Sequence, residues 1–208
     1  MPGGRTRHPD LREACVREAL AIIETDGLER LSLREVARRL GVSHQAPYRH
    51  FPSRDHILAE VVSRAYDDFA RFLEARERTG DPEADLGSMG QAYLAYALAH
   101  PLQYRLMFGT PLPDPEAHPE MMRTARHAFA MLTDGLRAVR AARGATPAEE
   151  ALRLDGLFVW SALHGLAAIA KANVAGTVGL SPTLMDRAGG HVLEMIGAAL
   201  GRRECRQD

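Results

Sequence analysis

The stretch "LSLREVARRLGVSHQAPYRHF", Leu31 to Phe51, decides how the rest of the sequence is read. Its first half is a helix in outline. Ser32 is placed to cap it, Glu35 to complete a capping box, Leu31 to pack against Val36, and Gly41 to stop it. The second half is less usual. Ser43 offers a second cap, yet Pro47 stands soon after it, and His44, Gln45, Tyr48, Arg49 and His50 crowd around the proline. A proline early in a helix forfeits about one backbone bond, whereas a mid-helix proline costs ~3 kcal/mol or more. Polar and amphipathic side chains are poor core material. They suit a short helix that presents donors and acceptors outward, as a helix lying in a DNA groove must. The Pro47 ring is also a flat apolar surface, suited either to a thymine methyl or to the protein core.

Working outward, Asp10 and Glu13 open an upstream helix whose stripe runs Leu11, Cys15, Ala19 and Ile22 before Gly27 ends it. Helices of roughly fifteen, nine and seven residues, with the turn Gly41-Val42-Ser43 between the second and third, describe a helix-turn-helix whose last member enters the major groove. Downstream, a long helix over 54–76 carries Ile57, Val61, Ala65, Phe69 and Phe72 on one face. Pro82 to His100 forms another, with Leu86, Met89, Tyr93 and Tyr96, and a short helix and a proline-rich loop follow Pro101. After Pro119, Met122, Ala125, Phe129, Leu132, Leu136 and Val139 recur at threes and fours. Thr146 to Glu149 reads as a capping box with Pro147 at the first helical position, and Ser181-Pro182 repeats the device. No stretch alternates at period two. The fold expected is all-α, about nine helices, with a head at 1–56 and a body at 57–208.

Charge supports a division of labour. The chain has a formal net charge of -1, but residues 1–56 carry ten arginines against eight acids, and the remainder sixteen basic groups against nineteen. A basic head on an acidic body points to nucleic acid, since local charge is what meets a phosphate. Cys15 and Cys205 have neither disulfide-framework nor zinc-ligand spacing, which suits a reducing cytoplasm. The N-terminus lacks the apolar core of a secretory signal, and the most apolar run, Gly156 to Ala170, is by itself too short to span a bilayer. A soluble cytoplasmic protein without membrane attachment is expected.

Leu31 to Val61 resembles the DNA-binding domain of the TetR/AcrR family of transcriptional regulators. The resemblance rests on the Gly41-Val42-Ser43 turn, the Tyr48-x-His50-Phe51 ending, and Ser53-Arg54 followed by Ile57 and Leu58. In "VWSALHGLAAIAKA", Trp160, His164 and Gly165 resemble the tryptophan–histidine–glycine C-terminal domain of one branch of that family. The resemblance implies that Ser32, Arg34, Tyr48, His50 and Arg54 hold phosphates, and that Ser43, His44, Gln45 and Arg49 read bases. It also implies a repressor that binds a pseudo-palindromic operator as a homodimer. The residues agree in part, because glutamine pairs well with adenine and arginine with guanine. Arg38, Arg39 and Arg49 are equally a solvated face, and His50 equally an internal hydrogen-bonding residue between helices.

In the body, Trp160 and His164 are one turn apart and share a helical face with Gly156. They fit a packed core pair, or one wall of a ligand site with Tyr93, Tyr104, Met107, Phe108 and Phe129. Aromatic and Met side chains with few polar groups suit a largely apolar small molecule oriented by His164 and Tyr104, with Arg105 the nearest expected cation. Ser161, Gly165, Ala168 and Ala172 form a ridge of small residues that admits a close helix, and Met185, Gly189, Val192 and Ile196 offer its counterpart. Together they suit a homodimer, or else an intrachain hairpin. No nucleophile elbow and no P-loop occur, and His100, His118, His127 and His191 lack metal-ligand spacing. No catalytic residue, metal or cofactor is therefore expected. The alternative from another class is a helical ligand-binding or adaptor protein whose basic head docks a protein.

Overall fold

The computed structural model describes residues 10–109, 111–172 and 174–202. Cys205 and the first nine residues lie outside them. Among the described residues there are nine α-helices and no strand: α1 Leu11–Asp26, α2 Leu33–Leu40, α3 Arg54–Glu74, α4 Pro82–Ala99, α5 Pro101–Phe108, α6 Pro119–Ala142, α7 Glu149–Lys171, α8 Val174–Thr177 and α9 Pro182–Arg202. Their packing divides the chain into two compact units. One holds residues up to Asp67 with Arg105–Ala125, and the other Asp68–Tyr104 with Arg126 onward. The division differs from the one at residue 56 because the first half of α3 is tied to α1. Arg12 pairs with Glu60 at 2.6 Å, and Arg64 bridges Glu60 at 2.9 Å and Glu13 at 2.6 Å.

In the first unit the caps form where the sequence offers them. Asp10 accepts from the Glu13 amide at 3.1 Å to start α1, and Ser32 Oγ accepts from the Glu35 amide at 3.1 Å to start α2. Gly41 stops α2 in the left-handed region, φ 65°, with its N–H on the carbonyls of Ala37 and Arg38. Cys15, Ala19, Ile22, Leu31, Val36, Ala37, Phe51 and Ile57 are buried, so each predicted stripe faces inward. The third element is a correction. No seven-residue helix follows Ser43. Residues 44–46 form a turn and Pro47–Arg49 a single 3-10 turn. Proline has no N–H to give, so the bonds here are mostly of the tighter kind: Ala46 N–H to Ser43 O at 2.9 Å and His50 N–H to Pro47 O at 3.0 Å.

In the second unit α7 packs on α4 and α9, and α4 on α9. A β-carbon on Gly90 of α4 would overlap the Leu193 side chain of α9, which would have to shift. Between α6 and α7, Gly156 admits Phe129 and Thr133, and Arg140 forms a buried ion pair with Asp155 at 2.9 Å. Ser181 Oγ accepts from the Leu184 amide at 3.2 Å and Pro182 opens α9, as expected. The Thr146–Glu149 box does not form. Ala148 is extended, α7 starts at Glu149, and that carboxylate is held by Arg137 at 2.9 Å. The apolar run Gly156–Ala170 sits inside this 23-residue helix, which by length and mean hydropathy of 1.2 would suffice to cross a membrane. The shortness of the run alone is thus no argument. A helix packed between others passes the same test, and this one carries the buried Asp155.

Candidate functional site

The turn after α2 sorts its residues by destination. Pro47 is buried with Phe51 at 2% exposure, so the proline ring is core and is not offered to a thymine methyl. Ser43, His44, Gln45, Tyr48, Arg49 and His50 are all exposed around it. His50 is therefore a surface residue rather than a buried link between helices. Proline fixes the backbone and anchors it, while the flanking side chains point to solvent with hydrogen-bonding groups of several kinds.

The arginines of the head divide into two sets. Glu35 takes Arg38 in a two-pronged pair at 2.6 and 2.8 Å and Arg39 Nε at 3.0 Å, while Arg39 also reaches Asp26 and, at 3.6 Å, Glu18. Hydrogen bonds from Arg38, then Arg39, hold the Glu35 carboxyl down at about 2. Arg54 donates to the carbonyls of Leu31 at 3.1 Å and Leu28 at 3.0 Å, and lies 3.5 Å from Asp55. These three arginines brace the fold. Arg34 and Arg49 are exposed, and among the described residues neither has a carboxylate within ion-pair distance. The Ser32 hydroxyl serves its cap as an acceptor, which leaves its proton available to a phosphate.

In the second unit four helices converge on one polar knot. The hydroxyls of Tyr93 on α4 and Tyr104 on α5 are hydrogen-bonded at 2.8 Å, and Tyr104 Oη lies 2.7 Å from Nδ1 of His164 on α7. The Tyr104 and His164 rings stack at 5.5 Å and 22°. Trp160 meets His164 edge-on at 6.1 Å, and Phe129 of α6 meets Trp160 at 6.2 Å. Tyr93 and Tyr104 are buried, whereas Phe129, Trp160 and His164 are half-buried and retain an open side. Burial first, then the positive charge of Lys171, pull the His164 imidazole below its ordinary value, and burial raises the Tyr104 phenol.

Five of the seven expected wall residues, His164 included, thus come together. Met107 and Phe108 belong to the first unit. Met107 gives its carbonyl to Tyr66 Oη at 3.0 Å, and Phe108 stands edge-on to Tyr66 at 5.9 Å, both within the first unit. A cation beside the knot is Lys171: its Nζ sits 4.6 Å over the Tyr104 ring and donates to Pro101 O at 3.2 Å, while Arg105 is exposed and belongs to the first unit. The sequence did carry that signal, because Lys171 follows His164 by two helical turns.

The two apolar surfaces of the body also sort out. On α7, Ser161, Ala168 and Ala172 are exposed and Gly165 half-buried, on the same side as exposed Leu154, Leu157, Phe158 and Ile169. On α9 the expected stripe turns inward instead. Ile196 is buried, Met185 and Val192 are half-buried, and Gly189 faces Leu94 of α4. The outward stripe of α9 is offset by one residue and runs through Leu184, His191 and Met195.

Residues 16–61 match the profile of bacterial regulatory proteins of the tetR family, and residues 86–196, more than half the chain, that of the tetracyclin repressor-like C-terminal domain. The HTH-type transcriptional regulator Rv1816 of Mycobacterium tuberculosis is 35% identical over 102 residues, 48% of this chain and 43% of that protein, so the match spans less than half the relative's length. Rv0681 of the same organism, also named an HTH-type transcriptional regulator, is 28% identical over 84% of this chain and 77% of its own. Among solved structures, the regulatory protein SCO4313 superposes with a TM-score of 0.72 at 29% identity, covering 93% of this chain and 98% of that one. A protein of unknown function from Rhodococcus sp. RHA1 does so at 0.70 and 25%, covering 95% of each. The chain belongs to the tetR family of bacterial regulatory proteins.

Proposed function

We propose that the protein is a one-component repressor that binds a pseudo-palindromic operator in double-stranded DNA as a homodimer and is released by a small, largely apolar molecule. The observation that carries this is the exposed group His44, Gln45, Tyr48 and Arg49 fixed around a buried Pro47. Residues 1–56 are the reading head and 57–208 the effector-binding and dimerising body. In the head, Gln45 and Arg49, with Ser43 and His44, read base edges; Ser32, Arg34, Tyr48 and His50 hold phosphates. Arg54 acts on the phosphate contacts by fixing the start of α2.

The dimer runs through the outward faces of α7 and α9. Support comes from Gly165, around which a β-carbon would meet nothing within 4 Å, beside the exposed Leu157, Phe158 and Ile169. An apolar helical face of that length calls for a cover, and a two-fold partner supplies an identical one. Two heads so joined would sit ~34–36 Å apart or a multiple of it, to read the same side of DNA. Effector release follows if the ligand prefers the form whose heads are misplaced, and operator then weakens ligand by the same factor.

A gel shift of the full-length protein on its own promoter region tests the reading. Salt-sensitive retardation that unlabelled operator removes and random duplex does not is the expected result. Equal competition by the two duplexes would leave the basic head as a docking surface for a protein.

A further inference from the structure

Residues 28–50 carry five arginines. Arg38 and Arg39 are taken up by Glu35. Arg34 and Arg49 are exposed and have their places in the reading of DNA given above. Arg30 has none. It is exposed, and among the described residues no carboxylate lies within ion-pair distance of it. Its neighbour Glu29 turns back over Gly27, with a carboxylate oxygen 3.0 Å from where a β-carbon on that glycine would stand.

The backbone that carries Arg30 is fixed on both sides. Its own N–H donates to Gly27 O at 3.3 Å and that of Leu31 to Leu28 O at 3.1 Å. The Arg54 guanidinium reaches the carbonyls of Leu28 and Leu31, which flank it. Leu31 and Ser32 are extended, so side chains alternate between two sides as the chain enters α2. Leu31 and Leu33 go into the core at 2% and 3% exposure. Arg30 and Arg34 are left outside, with half-buried Ser32 between them.

We propose that Arg30 is a further phosphate contact, and that Arg30, Ser32 and Arg34 form one outward line lying along a single strand of the DNA. The guanidinium fork donates to phosphate oxygens in charge-assisted bonds. The Ser32 hydroxyl accepts from the Glu35 amide and keeps its own proton to donate. A side chain on a clamped backbone gives up less freedom on binding than one on a loose loop, and this separates Arg30 from an ordinary solvated arginine. Contacts to phosphate carry no base information, so Arg30 adds affinity for every sequence alike. The inference rests on the first unit being the part that binds DNA.

Affinity of the full-length protein for operator and for a random duplex of equal length, measured from about 50 to about 200 mM salt, tests it. Arg30→Gln should lower the slope of log affinity against log salt by about 0.9 for each head bound, on both duplexes. Arg30→Lys should keep the wild-type slope, and Arg30→Gln with Arg34→Gln should lose about twice as much as Arg30→Gln alone. Arg137→Gln, which breaks only pairs with Asp134 and Glu149 in the second unit, should leave the slope alone. Ethylation interference locates the contact: one phosphate whose ethylation weakens the wild type should cease to matter for Arg30→Gln. Thermal melting confirms that each variant folds. A wild-type slope in Arg30→Gln, a loss confined to operator, or an equal loss in Arg137→Gln overturns the phosphate contact while DNA binding stands. A wild type that binds neither duplex removes the DNA reading itself, and the contact with it.

Discussion

The guanidinium of Arg54 donates through Nε to the carbonyl of Leu31, 3.1 Å away and 23 positions back in the chain. A second bond reaches Leu28 O, so one side chain at the start of α3 ties down the 3-10 turn that leads into α2. Arg54→Ala should cost about 1–3 kcal/mol of stability, the range for bonds from a charged donor, although the Leu28 carbonyl keeps the Leu31 N–H. It should weaken all DNA sequences alike. Thermal melting checks the first and a filter-binding series the second; an unchanged melting temperature would return Arg54 to a purely phosphate-binding role.

Arg34 and Gln45 are both exposed but should fail differently. Arg34→Ala should reduce the slope of log affinity against log salt by about 0.9 for each phosphate that a head no longer neutralises, with melting unchanged. Gln45→Ala should relax preference at one base pair per half-site, worth ~1–3 kcal/mol. A panel of operator variants measured at several salt concentrations separates them. Indistinguishable profiles would mean the roles are wrongly divided.

Glu35 gives the head an acid limit. Its carboxyl falls from an ordinary 4.5 to about 2 in the folded chain, chiefly through Arg38. A depressed carboxylate contributes stability that is full above the unfolded value and lost as pH drops through the folded one. Acidification from 4.5 towards 2 should therefore lower the wild-type melting temperature more than that of Glu35→Gln. Parallel melting curves across that window count against the pair as a stabilising device.

Gly165 and Gly90 predict opposite outcomes for one kind of substitution. A side chain at Gly165 meets open space within the chain, so Gly165→Leu should leave the fold intact and lower the sedimentation mass to that of a monomer. At Gly90 the added group runs into Leu193, so overpacking should cost ~1–3 kcal/mol in melting. Wild type that already sediments as a monomer at micromolar concentration ends the dimer proposal.

The Arg140–Asp155 pair is nearly sealed, with side chains 10% and 6% exposed. Removing one charge takes from the other a buried counter-charge, and Arg140→Met alone should cost ~3–5 kcal/mol. Arg140→Met with Asp155→Leu should recover much of that. Chemical denaturation of the wild type and the two variants measures the difference.

The helices were legible wherever a cap and a stripe agreed, as at Asp10 with Cys15 and Ile22, or Ser32 with Val36. The family resemblance at Leu31 to Val61 was legible for the same reason: its motif is short, local and unbroken. Three readings needed coordinates. Pro47 turned the expected recognition helix into a 3-10 turn, because what a missing N–H does depends on which carbonyl would have received it. Two apolar stripes on α9 differ by one position, and periodicity alone does not say which faces the chain's own core. Convergence of Tyr93, Tyr104 and His164 from three helices, and the place of Lys171 above them, depend on proximity between residues far apart in sequence.

The turn at Pro47–Arg49 has a thermodynamic consequence. It is held by a few short-range bonds and by the anchors Pro47 and Phe51, and the side chains between them are left to solvent. Their conformational freedom is surrendered only when base edges fix them, which costs entropy at the moment of specific recognition and not during sliding over random sequence. Specific association should then be driven by enthalpy and carry the more negative heat capacity. Warming should erode operator preference faster than it erodes general affinity for DNA. Discrimination by this regulator becomes a property of temperature as well as of sequence.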